Sequence, residues 1–357
     1  MFPEDSKKSS ILQELKKYCR SKKTVSMSCR YCAQLIAFSN CTKILQYIKS
    51  CRRCGSMVDF LFILSSRMKF SKVAILGLPR KGNSVKQTIV RLISFFKQNN
   101  IEVFAEPKMI NVYHLRDVQP FVASAPDKVD LGVVVGGDGS MLGACRDLAK
   151  YNIPVLGINR GHLGFLTDLK PNRIEEDLTR VVLEGKFTVE KRNLIDILIT
   201  EDDIVLEKHQ ALNEAVIHPK KIAHMFEFEI YIDDQFMNSE KADGMIISTP
   251  TGSTAYALSA GGPIMCPDIK AFCLIPMFPH TLNNRPIVIY EKHVITIDFL
   301  GDESSEVAID GQVTVNVAPH QKVVIKRSQN SLSLIHPTDY SYYAVLREKL
   351  GWGAKLF

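Results

Sequence analysis

Gly136, Gly137 and Gly139 surround Asp138 immediately after the apolar run Val133-Val134-Val135, and Ser140 follows. A strand that ends in glycines and enters a helix offers unpaired backbone N–H groups and a partial positive charge to an anion. Glycines let phosphate oxygens approach those groups, because no Cβ stands in the way and positive φ is open to them. Asp138 is then the single ionisable side chain at the phosphate end. The competing reading is a tight turn in which Asp138 or Ser140 caps the helix.

Three further segments have types and spacings suited to chemistry. Asp243-Gly244-Met245-Ile246-Ile247-Ser248-Thr249-Pro250-Thr251-Gly252-Ser253-Thr254-Ala255-Tyr256 continues into Ala257-Leu258-Ser259-Ala260-Gly261-Gly262. Its clustered hydroxyls suit sugar hydroxyls and a base edge, and Tyr256 can pack on an aromatic ring; read locally, it is also an ordinary Ser/Thr-rich loop. Leu212-Asn213-Glu214-Ala215-Val216-Ile217 places a carboxamide beside a carboxylate in an apolar run. On a strand the two point to opposite faces, so at least one can enter the core; the bland reading has Glu214 facing the surface. A ligand's ribose is a suitable partner for a buried polar group of this kind. Gly157-Ile158-Asn159-Arg160-Gly161-His162-Leu163-Gly164-Phe165-Leu166 follows another strand on the same sheet edge as Asp138, although a lone His162 is more often structural.

The elements that must position these groups fall into two textures. Lys72 to Leu78, Ile101 to Phe104, Leu131 to Val135 and Ile153 to Ile158 read as short buried strands. Between them Val85, Ile89, Leu92, Ile93 and Phe96 recur at helical intervals, as do Met141, Leu142, Cys145, Leu148 and Ala149. This alternation predicts a Rossmann-like parallel sheet covered on both faces through about residue 190. Beyond it, Phe226, Phe228, Ile230 and Ile232 alternate with polar residues, and short β runs recur at 194–199, 294–299, 306–309, 313–317, 323–326 and 332–335. A mostly β second domain follows, with the two glycine-rich loops placed to hold a ligand between the domains.

A chain of 357 residues, 46% hydrophobic and 23% charged, fits two globular domains rather than a disordered, collagen-like or coiled-coil protein. Its longest apolar run, Met57 to Leu64, is broken by Asp59 and far short of the roughly 18 residues of a membrane span. The net charge of +7 is not a nucleic-acid signature. Residues 1–67 hold 13 Lys and Arg against 4 Asp and Glu, whereas the remainder holds 32 against 34. Six of the nine cysteines lie in the first 54 residues, and the other three (Cys145, Cys266, Cys273) are scattered, which points to a reducing cytoplasm. Cys29, Cys32, Cys51 and Cys54 have zinc-site spacing, with 18 residues between the pairs. The helical look of that interval and the abrupt change of composition instead favour a basic extension dispensable for catalysis.

GGDGS at 136–140, GINRGHLGFL at 157–166, LNEAVI at 212–217 and DGMIISTPTGSTAYALSAGGPI at 243–264 together resemble the NAD kinase family in order and approximate spacing. Pro276 to Leu282, Asn284-Arg285-Pro286, Asp310-Gly311-Gln312 and Leu334-Ile335-His336-Pro337 are similar to its bacterial, Gram-negative type. The glycine loop alone is shared with diacylglycerol and sphingosine kinases. The resemblance covers about residues 68–357 and implies an α/β domain at 68–190, a β-rich NAD-binding domain at 191–335 and a tail, 336–357, packed back on the first.

It also implies transfer of the γ-phosphoryl group of ATP to NAD, with magnesium or another divalent metal arriving on the nucleotide, no protein metal cage, and a homo-oligomer, dimer or tetramer, whose neighbours complete the site. Asp138 matches the family's proton acceptor and, with Gly139, its NAD contacts. Asn213 and Glu214 match the ribose pair; His224 and Lys241 lie toward the nicotinamide, and Asp243 matches a second carboxylate contact. Thr254, Ala255, Tyr256, Ala257, Leu258 and Ser259 match the adenosine segment. Phe278 and Gln312 match further contacts, and His162 and Phe165 resemble pocket residues. No nucleic-acid or membrane partner is implied. The rivals are a lipid kinase sharing the glycine loop and a dinucleotide-binding regulator without catalysis.

Overall fold

The structure is a computed structural model, and it describes residues 70–79, 83–123, 129–161, 164–221 and 225–353. Contacts divide the chain into Met1–Arg67 and Met68–Phe357, and the description below concerns the second unit. The Cys29, Cys32, Cys51 and Cys54 set lies outside the described residues.

The N-terminal half is α/β. β1 (Lys72–Leu76), α1 (Asn83–Gln98), β2 (Glu102–Ala105), α2 (Pro107–Tyr113), β3 (Gln119–Pro120), β4 (Leu131–Gly136), α3 (Asp138–Ala149) and β5 (Val155–Asn159) alternate. The strands lie in the order β5-β4-β1-β2-β3, all parallel. Because successive side chains alternate across a strand, Val73, Ile75, Val133 and Val135 bury against Ile89, Leu92 and Phe96 of α1. Ala74, Leu76 and Val134 bury against Met141, Cys145 and Leu148 of α3 on the other face. The near-continuous apolar strands are what a sheet covered on both faces requires.

After α4 (Ile174–Leu178) the chain is mostly β: β6 (Phe187–Glu201), β7 (Ile204–Ala211), β8 (Glu214–Pro219), β9 (Phe226–Ile232), β10 (Gln235–Ala242) and β11 (Gly244–Ser248). A single helical turn, α5 (Tyr256–Ser259), precedes β12 (Ala271–Met277), β13 (Ile287–Tyr290), β14 (Ile295–Leu300), β15 (Ser305–Ile309), β16 (Val313–Val317), β17 (Lys322–Pro337) and α6 (Tyr342–Leu350). Six of these strands form a sheet of their own, β13-β12-β11-β8-β15-β16. The others extend the parallel sheet: β17 pairs parallel with β5 at Leu334 and Val155, antiparallel with β6 from Lys322–Thr200 to Pro337–Phe187, and onward to β14, β9 and β10. The two sheets close on a core that includes Ile195, Ile217, Phe228, Ile247, Leu274 and Ile325.

The runs expected at 323–326 and 332–335 are thus one strand, with a register shift between Arg327 and Ser331. The strand expected at 194–199 is the middle of β6. Strand β17 carries the sheet from one half to the other, so the loops at the carboxyl ends of β4 and β5 face the β half within one hydrogen-bonded framework.

Candidate active site

Strand β4 ends at Gly136, and α3 begins at Asp138 with Gly137 as its N-cap at φ −101°, ψ −172°. A Cβ at Gly136 would lie 2.4 Å from the buried Ser140 hydroxyl, so glycine is required there by space rather than by φ. Asp138 does not cap the helix. Its carboxylate turns toward the segment after β5, where Oδ2 accepts the Phe165 N–H at 2.8 Å and Oδ1 accepts the Leu166 N–H at 3.1 Å. Gly164 makes room for it: a Cβ there would lie 2.0 Å from Oδ1. Two backbone donors therefore fix the carboxylate's orientation and leave a lone pair on each oxygen for another proton.

The β15–β16 turn reaches this helix from the other half. Asp310 (φ +49°) and Gly311 (φ +62°) occupy its centre, closed by the Gln312 N–H donating to Ile309 O at 2.9 Å. The Asp310 carboxylate accepts the N–H groups of Leu212 (3.1 Å), Asn213 (2.7 Å) and Glu214 (3.2 Å). It also accepts Arg146 Nη1 of α3 at 2.6 Å. Arg146 Nη2 donates to Gln312 Oε1 at 2.9 Å, and Gln312 Nε2 donates to Gly139 O at 2.5 Å. Gln312 was expected at the site; Asp310 and Arg146 were not named individually. The signal for Asp310 was its place in an Asp-Gly turn, whereas an arginine on an amphipathic helix carries none.

Both members of the Asn213–Glu214 pair are buried, Glu214 at 4% exposure and Asn213 at 9%, so the surface-facing reading of Glu214 is excluded. The Glu214 Oε2 is buried without a hydrogen-bond partner. Burial, and then the Asp310 charge, push its carboxyl up to about 8. A buried oxygen without a partner costs roughly 1–3 kcal/mol, which a ligand hydroxyl would recover.

The hydroxyl-rich loop after β11 lies against the same segment: the Thr249 N–H donates to Asn213 O at 2.8 Å, and a Cβ at Gly252 would sit 2.3 Å from that oxygen. Most of its hydroxyls are spent on the loop itself, contrary to the expectation that they face a sugar. Ser248 Oγ donates to Thr249 O at 2.9 Å, Thr249 Oγ1 to Leu212 O at 2.6 Å, and Ser253 Oγ to Pro250 O at 2.7 Å while accepting the Met265 N–H at 2.9 Å. Thr251 Oγ1 accepts Arg192 Nη1 at 3.3 Å, and Thr254 Oγ1 donates to Thr251 O at 3.4 Å. Short side chains beside a Pro-Thr-Gly turn find backbone partners first. What remains outward is Tyr256, 46% exposed, the exposed Ser259 and the partly exposed Thr254, Ala255 and Leu258; Ala257 faces the core.

The other expected residues are more dispersed. His162 and His224 lie outside the described residues. Phe165 is half-buried with Lys349 Nζ 5.3 Å above its ring. Lys241 is exposed and pairs across β9–β10 with Glu227 at 2.7 Å. Asp243 sits half-buried in the bend between β10 and β11, its N–H donating to Met277 O at 2.9 Å. Phe278, at φ +47°, is 76% exposed. Among the described residues, no three His, Cys, Asp or Glu side chains gather as a metal cluster.

A glycine turn with one oriented carboxylate, clamped to a β layer that buries a second, defines an enzyme of the nucleotide phosphotransferase class. Residues 73–187 match the family model of the ATP-NAD kinase N-terminal domain and residues 212–337 that of the C-terminal domain. The chain is 47% identical over 291 residues to the NAD kinase of Photobacterium profundum, covering 81% of this chain and 99% of that protein. The NAD kinase of Shewanella oneidensis is 46% identical over the same length. Among solved structures, yeast NADH kinase complexed with NADH superposes with a TM-score of 0.73 at 22% identity, covering 82% of this chain and 90% of that one, a likeness of fold alone. An NAD kinase from Archaeoglobus fulgidus in complex with ATP has a TM-score of 0.59 at 26% identity, covering 78% and 97%. The chain belongs to the NAD kinase family.

Proposed function

We propose that the protein phosphorylates NAD: the γ-phosphoryl group of ATP passes to the 2′-hydroxyl of the adenosine ribose, giving NADP and ADP. The observation that carries this reading is the unpartnered Oε2 of buried Glu214, set beside Asn213 and tied through Asp310 and Arg146 to the helix that begins with Asp138. A ribose hydroxyl donating to Glu214 removes the orphan and holds the sugar. Asp138 then takes the proton from the attacking 2′-hydroxyl as the O–P bond forms and the bond to the ADP oxygen breaks. Asn213 holds the ribose with Glu214, Asp243 is a second carboxylate contact, and Thr254 to Ser259 border the adenosine, with Tyr256 free to pack on the base. Lys241, His224, Phe278, Gln312, His162 and Phe165 complete the pocket in this reading.

The donor's polyphosphate belongs at the glycine turn. A cleft of about 580 Å³ lined by Arg91, Asn159, Arg160, Lys170 and Glu348 adjoins it, and the Arg160 N–H donates to Gly136 O at 2.9 Å. Burial, and then the Arg91 charge, lower the pKa of the Arg160 guanidinium, and an anion beside it would offset both effects. The loop offers backbone N–H groups and one carboxylate already bonded to the Phe165 and Leu166 amides of the segment after β5, which fits magnesium held chiefly by phosphate oxygens and water. That ion supplies neutralisation of the phosphate charge.

The same reading makes residues 1–67 an extension, 68–190 the kinase half, 191–335 the NAD-binding half and 336–357 a tail, in keeping with the matched ranges 73–187 and 212–337. It also assigns a homo-oligomer and a cytoplasmic enzyme. The exposed apolar Phe236, Met237, Phe278 and Leu282 suit a subunit contact. Among the described residues no helix is long and apolar enough to cross a membrane. Incubation with NAD, ATP and Mg²⁺ tests the reading. NADP formation is expected; NAD binding without turnover would indicate a regulator, and phosphorylation of a lipid in place of NAD the lipid kinase.

A further inference from the structure

His336 is 1% exposed, is the next-to-last residue of the sheet strand that joins the two halves, and has no part in the reaction above. Pro337 confines it to extended backbone, so its imidazole is delivered to one place. Nδ1 is hydrogen-bonded to Asp168 Oδ2, in the segment after β5. Nε2 lies 3.0 Å from Glu190 Oε2 of β6, off the line of a well-formed hydrogen bond. Tyr340 stacks on the ring, with centroids 3.9 Å apart at 14°. Glu190 Oε2 also accepts Arg192 Nη2 at 3.2 Å, and Arg192, itself buried, donates through Nη1 to Thr251 Oγ1.

We infer that His336 is a positioning residue for both halves of the site: through Asp168 it holds the segment whose amides orient Asp138, and through Glu190 and Arg192 it holds the loop that leads to the adenosine segment. The inference rests on the proposed NAD kinase reading.

Asp168 is two residues from Leu166 and three from Phe165, the donors to Asp138. Its own N–H and that of Leu169 return to Gly157 O at 3.3 and 3.2 Å, so the carboxylate's bond to His336 is the side-chain anchor of this stretch. On the other arm, Thr251 directly precedes Gly252, which packs on Asn213 O. The groups facing the imidazole are Asp168, Glu190 with Arg192 behind it, and Tyr340. Burial lowers the histidine, but the Asp168 hydrogen bond and the nearby Asp168 and Glu190 carboxylates outweigh it, so its pKa is raised. A core histidine kept only for packing needs neither carboxylate.

Two substitutions separate the arms, because Asn places its amide near the former Nδ1 and Gln near the former Nε2. Wild-type NADP formation is measured first, and its absence would refute the function rather than this inference. His336→Gln, which releases Asp168, is expected to lower kcat by about 10- to 100-fold at nearly constant NAD KM, the effect of a misplaced catalytic group. His336→Asn, which releases Glu190, is expected to keep kcat and raise the NAD KM by about 3- to 10-fold, the worth of one net hydrogen bond. Asp168→Asn and Glu190→Gln read the same arms from the other side and should reproduce that split. Wild-type kinetics in the folded variants, or the same kinetic change from both arms, overturns the inference. So does loss of the fold in all four, which would leave His336 a purely structural residue.

Discussion

Asp310 Oδ2 and Arg146 Nη1 meet at 2.6 Å, with the aspartate side chain fully buried and the arginine side chain 14% exposed. They come from a β-turn and from α3, and the same carboxylate holds the backbone of Leu212, Asn213 and Glu214. The ionic contact thereby sets the spacing between α3, which begins at the glycine turn, and the Asn213–Glu214 segment. Asp310→Ala leaves the guanidinium and three backbone N–H groups without their acceptor, and is expected to cost about 3–5 kcal/mol, as when one member of a buried pair is removed. Urea unfolding measures it. A loss below about 1 kcal/mol, the worth of an exposed pair, with unchanged NAD KM would show that the clamp is dispensable.

Asp138→Asn keeps the size of the side chain and removes the carboxylate proposed as the proton acceptor. Since the carboxylate does not cap α3, the helix should survive, and kcat should fall by ~10²–10⁴, the usual range for loss of a general base. Gly164→Ala tests the same point by geometry, because the added Cβ would lie 2.0 Å from Oδ1 and must push the carboxylate off the Phe165 and Leu166 amides. Steady-state kinetics on folded protein decides both. Near-normal NADP formation by Asp138→Asn would leave Asp138 as scaffolding.

A chain starting at Met68 is expected to fold and to phosphorylate NAD with unaltered kinetics. The contacts divide between Arg67 and Met68, and the relatives align over 291 residues, 81% of the chain. Circular dichroism and the NADP assay on the truncated protein are the measurements. Insolubility or inactivity of that chain, together with stoichiometric zinc in the full-length protein, would assign residues 1–67 a structural metal site.

How much of this was legible in sequence depended on whether the signal was local. Asp138 stood out because glycines flank it, and Asn213 and Glu214 because polar groups interrupt an apolar run. The parallel strands were readable because burial on both faces leaves few polar residues in them. By contrast Arg146 and Asp310 are 164 residues apart, and no periodicity links a helix surface to a turn. Strand β7 begins Ile204-Val205-Leu206 with all three exposed, so the alternation that reveals a half-buried strand is missing. Helix α6 buries only Leu346, too little for an amphipathic stripe. The hydroxyls of Ser248, Thr249 and Ser253 were readable as hydrogen-bonding groups, but their direction was not, because inward and outward rotamers suit the same sequence.

Glu214 connects binding with stability through pH. Its ordinary value is 4.5, and the folded protein holds the proton up to about 8, because burial and the Asp310 charge disfavour the carboxylate. Between those values the folded state binds a proton that the unfolded chain has released, so this group's contribution to stability declines as pH rises through the window, and its full penalty is present above it. Glu214→Gln removes the ionisation and keeps the shape. The variant should therefore gain stability relative to wild type at pH ~8.5 and show a smaller gain at pH ~5. It should also raise the NAD KM more than it lowers kcat, since a ribose contact exists in both ground and transition states. Thermal melts at the two pH values and steady-state kinetics give the two readouts. A variant no more stable in alkali, with the wild-type KM, would show that Glu214 neither strains the core nor holds the sugar.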